Sequence, residues 1–251
     1  MKRRLVCIGL GGIFEGYFPQ VLLFHAMRVI RFSSILLVDG KAFRKENRNR
    51  QYFRELRGKA VERRKQWEGV YPALPLRSRA VYVDSSNVRE IIPDGAIVLL
   101  SPDNHATRKV VSDYAETLRG ILLISGGNDG IDPVSGEDGT EGAVIVHWRK
   151  ERKNLTAPLT FYHPEIREPE DRLPSTMSCT ELAQAGQPQL LATNLLVGHA
   201  MAQLLHRYTV LPPAEAVQIV EVGVDSRAGT IVPYGIQERQ PTLPTKRRRK
   251  L

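Results

Sequence analysis

The sequence predicts an α/β fold, a Rossmann-like and mostly parallel sheet with added antiparallel strands. Short apolar runs of strand length at residues 5–8, 35–38, 96–100 and 121–125 are separated by helix-forming stretches, the pattern of a parallel sheet buried on both faces. The first run leads into the glycine loop Gly9-Leu10-Gly11-Gly12. The second ends in Asp39, which places an acid at the carboxyl edge, where open α/β sheets bind ligands.

Residues 5–8 read as the first buried strand, and a helical pattern is expected to begin near Pro19, a good first-turn residue. Strand, glycine loop and helix together bring backbone N–H groups and a helix amino terminus towards a phosphate. That loop alone is shared by NAD, FAD, S-adenosylmethionine and ATP binders. Val21, Leu22, Phe24, Ala26, Val29 and Ile30 suit a buried helix face. Asp39 then follows Gly16 by 23 residues, a spacing at which an acid accepts ribose hydroxyls in dinucleotide folds; a turn cap is the alternative.

Residues 54–67 are charged and helix-forming, Pro72 and Pro75 end that helix, and residues 80–84 read as the third strand. The fourth strand, 96–100, runs into Ser101-Pro102-Asp103-Asn104 and a helix containing Arg108. After the fifth strand, residues 126–142 read as a mobile loop rich in glycine and acid, and 143–148 as an added antiparallel strand. Residues 154–174, broken by four prolines, look irregular. Cys179 would sit where a loop enters a helix, which lowers a thiol pKa, or would be a buried structural cysteine. His199 and His206 share one face of the apolar helix over 190–206 and lack a third metal ligand, so core or partner-facing roles suit them better. Residues 219–234 read as a hairpin.

At 251 residues and 42% hydrophobic content the chain is expected to form one domain over 1–239, with a flexible basic tail at 240–251. No apolar run is long enough to span a membrane and the start lacks a signal peptide's apolar segment, so a cytoplasmic protein is the expectation. Cys7 and Cys179 cannot build a four-thiolate zinc site or a disulfide framework. The net charge of +9 comes largely from residues 2–4, 44–65 and 246–250, and favours nucleotide, acidic protein or nucleic acid. The tail is either a solvated end or a nucleic-acid contact.

Asp39 followed by Glu46-Asn47-Arg48-Asn49-Arg50-Gln51-Tyr52-Phe53 resembles the Asp-x-Asp…Ser-Asn-Leu-Asn-Arg-Gln-x-Phe signature of the ThiF/MoeB/HesA family, bacterial relatives of ubiquitin-activating enzymes. Gly58-Lys59-Ala60 resembles that family's Gly-x-x-Lys-Ala, shortened by two residues, and Asp103, Asn104 and Arg108 align with its Val-Leu-Asp-Cys-Thr-Asp-Asn-x-x-x-Arg. Ser178 to Gly186 resembles its Cys-x-Glu-x-Gly segment, so the likeness covers roughly residues 5–206. Three departures stand out. Phe14 occupies the place of the last glycine in Gly-x-Gly-Gly-x-Gly, with Gly16 close by; the zinc-binding CxxC pairs are missing; and Leu100 replaces an acid used near the nucleotide's magnesium.

The resemblance implies attack on ATP by a carboxylate, usually the carboxyl terminus of a ubiquitin-like or sulfur-carrier protein, giving an acyl adenylate and pyrophosphate in a homodimeric enzyme. Gly9, Gly11 and Gly12 would cradle the nucleotide and Asp39 would hold the ribose. Asn47, Arg50, Gln51 and Lys59 would contact phosphates, with Arg50 and Lys59 stabilising developing charge. Asp103 would place Mg2+, and Cys179 would take the acyl group as a thioester or attack through a persulfide. A nucleotide- or protein-binding module without turnover is favoured by Leu100 and opposed by the retained polar set. An NAD-dependent oxidoreductase is permitted by the loop and Asp39 but leaves Arg50 and Gln51 unexplained.

Overall fold

The computed structural model describes residues 3–49, 51–132, 136–184 and 188–235. In chain order the elements begin β1 (Arg3–Ile8), α1 (Gly12–Ala26), β2 (Phe32–Val38), α2 (Lys59–Val70), β3 (Leu76–Arg79), α3 (Val88–Ile91), β4 (Ile97–Leu100) and α4 (His105–Thr117). There follow β5 (Ile121–Asn128), β6 (Ile131–Asp132), β7 (Glu137–Asp138), β8 (Glu141–Lys150), β9 (Lys153–Asn154), α5 (Leu159–Tyr162), α6 (Pro164–Arg167), α7 (Cys179–Gln184), α8 (Leu191–Val210), α9 (Pro213–Ala216), β10 (Glu221–Asp225) and β11 (Thr230–Tyr234). The basic tail at 240–251 lies outside the described residues. Among the described residues no helix is long and apolar enough to cross a membrane.

Among the described residues one sheet runs β11-β10-β8-β5-β4-β1-β2-β3, with β9 paired to β8. Strands β1 to β5 are mutually parallel, while β8, β10 and β11 add antiparallel to the β5 side. The mixed α/β class expected from the sequence is what the chain forms. Alternation along the strands feeds two cores. Leu5, Cys7, Ile35, Leu37, Ile97 and Leu99 face α1 and α8, whereas Val6, Ile8, Val38, Val98 and Leu100 face the layer built from α3 to α6. Leu100 pairs with Ile8 and is fully buried, so this position serves packing. Because β1 is followed by β2 on one side and has β4 on the other, the strand order reverses between β1 and β4, and the crevice opens there.

Several expected boundaries are corrected. Helix α1 starts at Gly12, and Pro19 lies inside it. A proline there costs about 3 kcal/mol, but burying Phe14, Tyr17, Phe18 and Leu22 returns roughly 1.5–3 kcal/mol for each large apolar side chain. The second helix begins only at Lys59, because residues 42 and 58 form an antiparallel bridge and the Glu62 carboxylate accepts the backbone N–H of Arg54 at 3.0 Å, holding that stretch as a loop. The third strand is Leu76–Arg79, since its register against Ile35–Val38 places Arg79 opposite the last residue of β2; residues 80–84 then pass over the carboxyl edge. Gly126, Gly127 and Asn128 belong to β5, in register with Val144, Ala143 and Gly142 of β8. Within 154–174, expected to be irregular, α5 and α6 form and put Leu159 and Ile166 into the second core.

Helices α1 and α8 cross at glycines. A Cβ on Gly198 would lie 2.5 Å from the Ile13 carbonyl oxygen and 2.7 Å from the Gly16 Cα, and one on Gly16 would lie 2.8 Å from the Leu195 oxygen. Gly16 therefore supplies the close approach, and Phe14 can be a core residue stacked on Phe18 at 4.4 Å. The long helix thus seats α1, and with it the glycine loop.

Candidate nucleotide site at the strand carboxyl ends

Gly9 leaves β1 with φ +83°, and a side chain there would strike the Ser101 carbonyl at 2.5 Å. The Ser101 hydroxyl donates to the Gly9 oxygen at 2.8 Å, fastening the loop to the end of β4. Asp39 fastens its other side: one carboxylate oxygen accepts the Leu10 N–H at 2.8 Å and the other accepts the Lys41 N–H at 2.7 Å. Each oxygen keeps a further lone pair. No side chain caps α1 at Gly11, and a Cβ on Gly11 would meet nothing nearer than the Gln51 amide at 4.0 Å. The loop is thus open towards a cleft of about 1590 Å³, with the positive end of a 15-residue helix behind it.

The signature segment forms the wall of this cleft. A short 3₁₀ turn, Lys45–Asn49, is closed by the Asn47 side chain, which accepts the Arg44 N–H at 3.0 Å. Gln51 is 7% exposed, and its side-chain oxygen is buried without a hydrogen-bond partner, a state a bound donor would relieve. Phe43 and Phe53, which flank this segment, stack at 4.4 Å. The fully buried Arg63 guanidinium lies between the Phe14 and Phe43 rings, pairs with Glu15 and donates to the Tyr52 oxygen at 2.5 Å. Lys59 opens α2 with its ammonium 5.6 Å from the Phe43 ring and only 6% of the residue exposed. Cation–π contacts thus join Lys59 and Arg63 of α2 to the ring of Phe43.

Across the cleft, the Asp103 carboxylate pairs with the Lys41 ammonium. Burial opposes its ionisation, but the charge and hydrogen bond of Lys41, with Lys59 beyond, hold its carboxyl below the usual range. Asn104 caps α4 by accepting the Thr107 N–H at 2.8 Å. Buried Arg108 reaches back from that helix to the Ser125 hydroxyl at 2.5 Å, the Pro102 oxygen at 2.7 Å and the Gly126 oxygen at 2.8 Å. Its burial lowers its pKa to about 10, so it stays charged and fixes the loop that carries Asp103.

The far end of the same cleft is acidic. His163 is 2.7 Å from a Glu165 oxygen and 3.5 Å from a Glu221 oxygen. Burial opposes its protonation, yet the two carboxylates push its pKa up to about 9. Asp171 accepts the first two N–H groups of α4, from His105 at 2.6 Å and Ala106 at 2.7 Å.

Gly9, Gly11, Gly12, Asp39, Asn47, Gln51, Lys59 and Asp103 therefore line one cleft, although residues up to 94 positions apart supply them. Arg50 and the side chain of Cys179 lie outside the described residues; the Cys179 backbone opens the short α7, not the long helix. His199 is exposed, hydrogen-bonded to Gln20 at 3.1 Å and Gln203 at 2.8 Å, and His206 packs on Phe24. Among the described residues no group of three His, Cys, Asp or Glu is placed to hold a metal. Sequence reasoning missed Lys41, Arg63, Glu221 and His163. Lys41 had a signal, since it stands where the Asp-x-Asp pattern has its second acid.

No family model matches the sequence, and no curated protein matches it. Solved structures do. E. coli MccB, described as the microcin C7 biosynthetic enzyme, superposes with a TM-score of 0.65 at 14% identity, over 96% of this chain and 65% of that one. The form of MccB solved with ATP gives 0.64 at 13% identity over 96% and 66%, and PaaA gives 0.61 at 12% identity over 93% and 64%. MccB has also been solved with AMPCPP and with MccA. This chain spans 65% of the length of MccB. At such identities the likeness establishes the fold alone, the Rossmann-like α/β fold that MccB also has.

Proposed function

We propose that the protein is an ATP-dependent adenylyltransferase that activates the carboxyl terminus of a peptide or small protein. One observation carries this reading: the open glycine loop, Asp39, Gln51, Lys59 and the Lys41–Asp103 pair converge on one cleft at the strand-order reversal. Adenylation asks for such an arrangement. A carboxylate oxygen attacks the α-phosphorus, the bond to pyrophosphate breaks, and the charge spread over the phosphates is met by N–H donors and cations more than by an acid or base. The α1 amino terminus and the Gly11 and Gly12 N–H groups face the phosphates, Lys59 and Lys41 balance their charge, and Asp39 uses its spare lone pairs on the ribose. The unpartnered Gln51 oxygen requires a donor; a ribose hydroxyl or adenine amine supplies one. MccB crystals with ATP and with MccA support the pairing of nucleotide and peptide on this fold.

Asp103, ionised and facing the cleft, is the carboxylate that would hold Mg2+, an ion that usually relies on one or two carboxylates plus the substrate's own phosphates. The ion would neutralise charge on those phosphates. A second reading, nucleotide binding without turnover, is favoured by Leu100, which is wholly in the core.

Calorimetry with ATP and NAD, each with Mg2+, followed by pyrophosphate release with peptides bearing free or amidated carboxyl termini, tests this. The expected result is ATP binding that Lys59→Met weakens by about tenfold or more, and release that requires a free carboxylate. Preference for NAD overturns the assignment, and ATP binding without release under any peptide establishes the second reading.

A further inference from the structure

The glycine loop leaves β1, which has β4 on one side and β2 on the other. Lys41 follows the last residue of β2 by three positions, and Asp103 follows the last residue of β4 by three. Their ion pair therefore joins the two neighbours of β1 across the end of that strand. At roughly 4.8 Å per spacing those neighbours stand about 10 Å apart. The glycine loop lies between them, and both partners line the cleft.

The backbone holds Lys41 in this place. Its N–H donates to Asp39 at 2.7 Å and its carbonyl accepts the Lys59 N–H at 2.8 Å. Neither bond uses the side chain, so the ammonium is free to move while the loop stays fixed. The two side chains are 30% and 45% exposed, and a pair so open to water is weakly held.

The carboxylates at this end already have partners. Asp39 accepts the Leu10 and Lys41 N–H groups, one on each oxygen, and Asp103 holds the ammonium. A divalent ion that takes Asp103 must displace Lys41. An anion seated in the glycine loop does the opposite, since it draws the ammonium off Asp103 and onto itself. Lys59 stands close enough for its charge to act on Asp103 as well, so two ammonium groups face one carboxylate here.

We propose, resting on the nucleotide reading above, that Lys41 is a built-in counter-cation: it competes with Mg2+ for Asp103, crosses to the phosphates when ATP enters, and lets this chain bind ATP without the metal. Asp103 becomes open to Mg2+ only in the ATP complex, once Lys41 has left it.

The test is calorimetry on the full chain, with ATP in Mg2+ and ATP in EDTA, for the parent, Lys41→Met, Asp103→Asn and Lys45→Met. Lys45 is exposed and does not line the cleft, so it controls for the loss of one positive charge. The parent is expected to bind ATP in EDTA within about threefold of its affinity in Mg2+. Lys41→Met should bind about tenfold or more weakly than the parent in EDTA, where a charge-assisted bond is lost. In Mg2+ it should stay within about threefold of the parent, because the freed Asp103 takes the ion; binding there also shows that the variant is folded. Asp103→Asn releases the ammonium and should bind at least as tightly as the parent in EDTA, and Lys45→Met should leave the ratio unchanged. A parent that weakens by more than about tenfold in EDTA, a Lys41→Met protein weakened equally in both conditions, an Asp103→Asn protein weakened in EDTA, or a Lys45→Met protein that behaves as Lys41→Met overturns the proposal. ATP binding that needs Mg2+ removes this proposal alone, whereas silence towards ATP in both conditions removes the nucleotide reading with it. Metal-independent binding without pyrophosphate release upholds Lys41 and removes only turnover.

Discussion

Gly198 can be tested by one methyl group. Gly198→Ala places a Cβ 2.5 Å from the Ile13 oxygen and 2.7 Å from the Gly16 Cα, about 1 Å inside ordinary contact. Helix propensity alone would favour alanine by about 1 kcal/mol, whereas forcing a methyl into a packed crossing costs about 1–3 kcal/mol. The close partners here are backbone atoms of α1, which cannot swing aside as a side-chain end would, so the cost falls at the upper part of that range. The expected net loss is about 1–2 kcal/mol, a fall of a few degrees in Tm for a chain of this size, with the urea m-value unchanged. Because α1 must move to admit the methyl, ATP affinity should fall with stability. Gly69→Ala in α2, where a Cβ meets nothing within 4 Å, is the control and should be neutral or stabilising. A Gly198→Ala protein as stable as the parent would refute the tight crossing and with it the account of how α8 seats the glycine loop.

Arg108→Met leaves the Pro102 and Gly126 carbonyls and the Ser125 hydroxyl without their shared donor; a loss of about 3 kcal/mol or more in urea unfolding is expected, and less than 1 kcal/mol would show that the loop holds itself. The raised pKa of His163 makes its ion pairs fully stabilising below about pH 6.5, a contribution of up to roughly 3 kcal/mol that is lost as pH rises through about 9. Stability measured from pH 6 to 10 should show this slope, and His163→Gln should flatten it; an unchanged slope would clear His163 of the effect.

The layered α/β class was legible in the sequence, because apolar runs of strand length and helical periods are local properties. Most of the candidate site was legible there as well, since a glycine loop, an acid at a strand end and a polar signature are each contained in a short stretch. Boundaries such as Pro19 inside α1 and the third strand at 76–79 were not legible, because burial and strand register outweighed the local preference of those residues. That Gly16 meets Gly198, that Lys41 meets Asp103 and that Arg63 is buried between aromatic rings follow from the folded chain, for each depends on an element distant in sequence. The neighbourhood of Glu141 and Asp225 is likewise a product of register: they stand 84 positions apart in the sequence and are set side by side when β8 and β10 pair antiparallel.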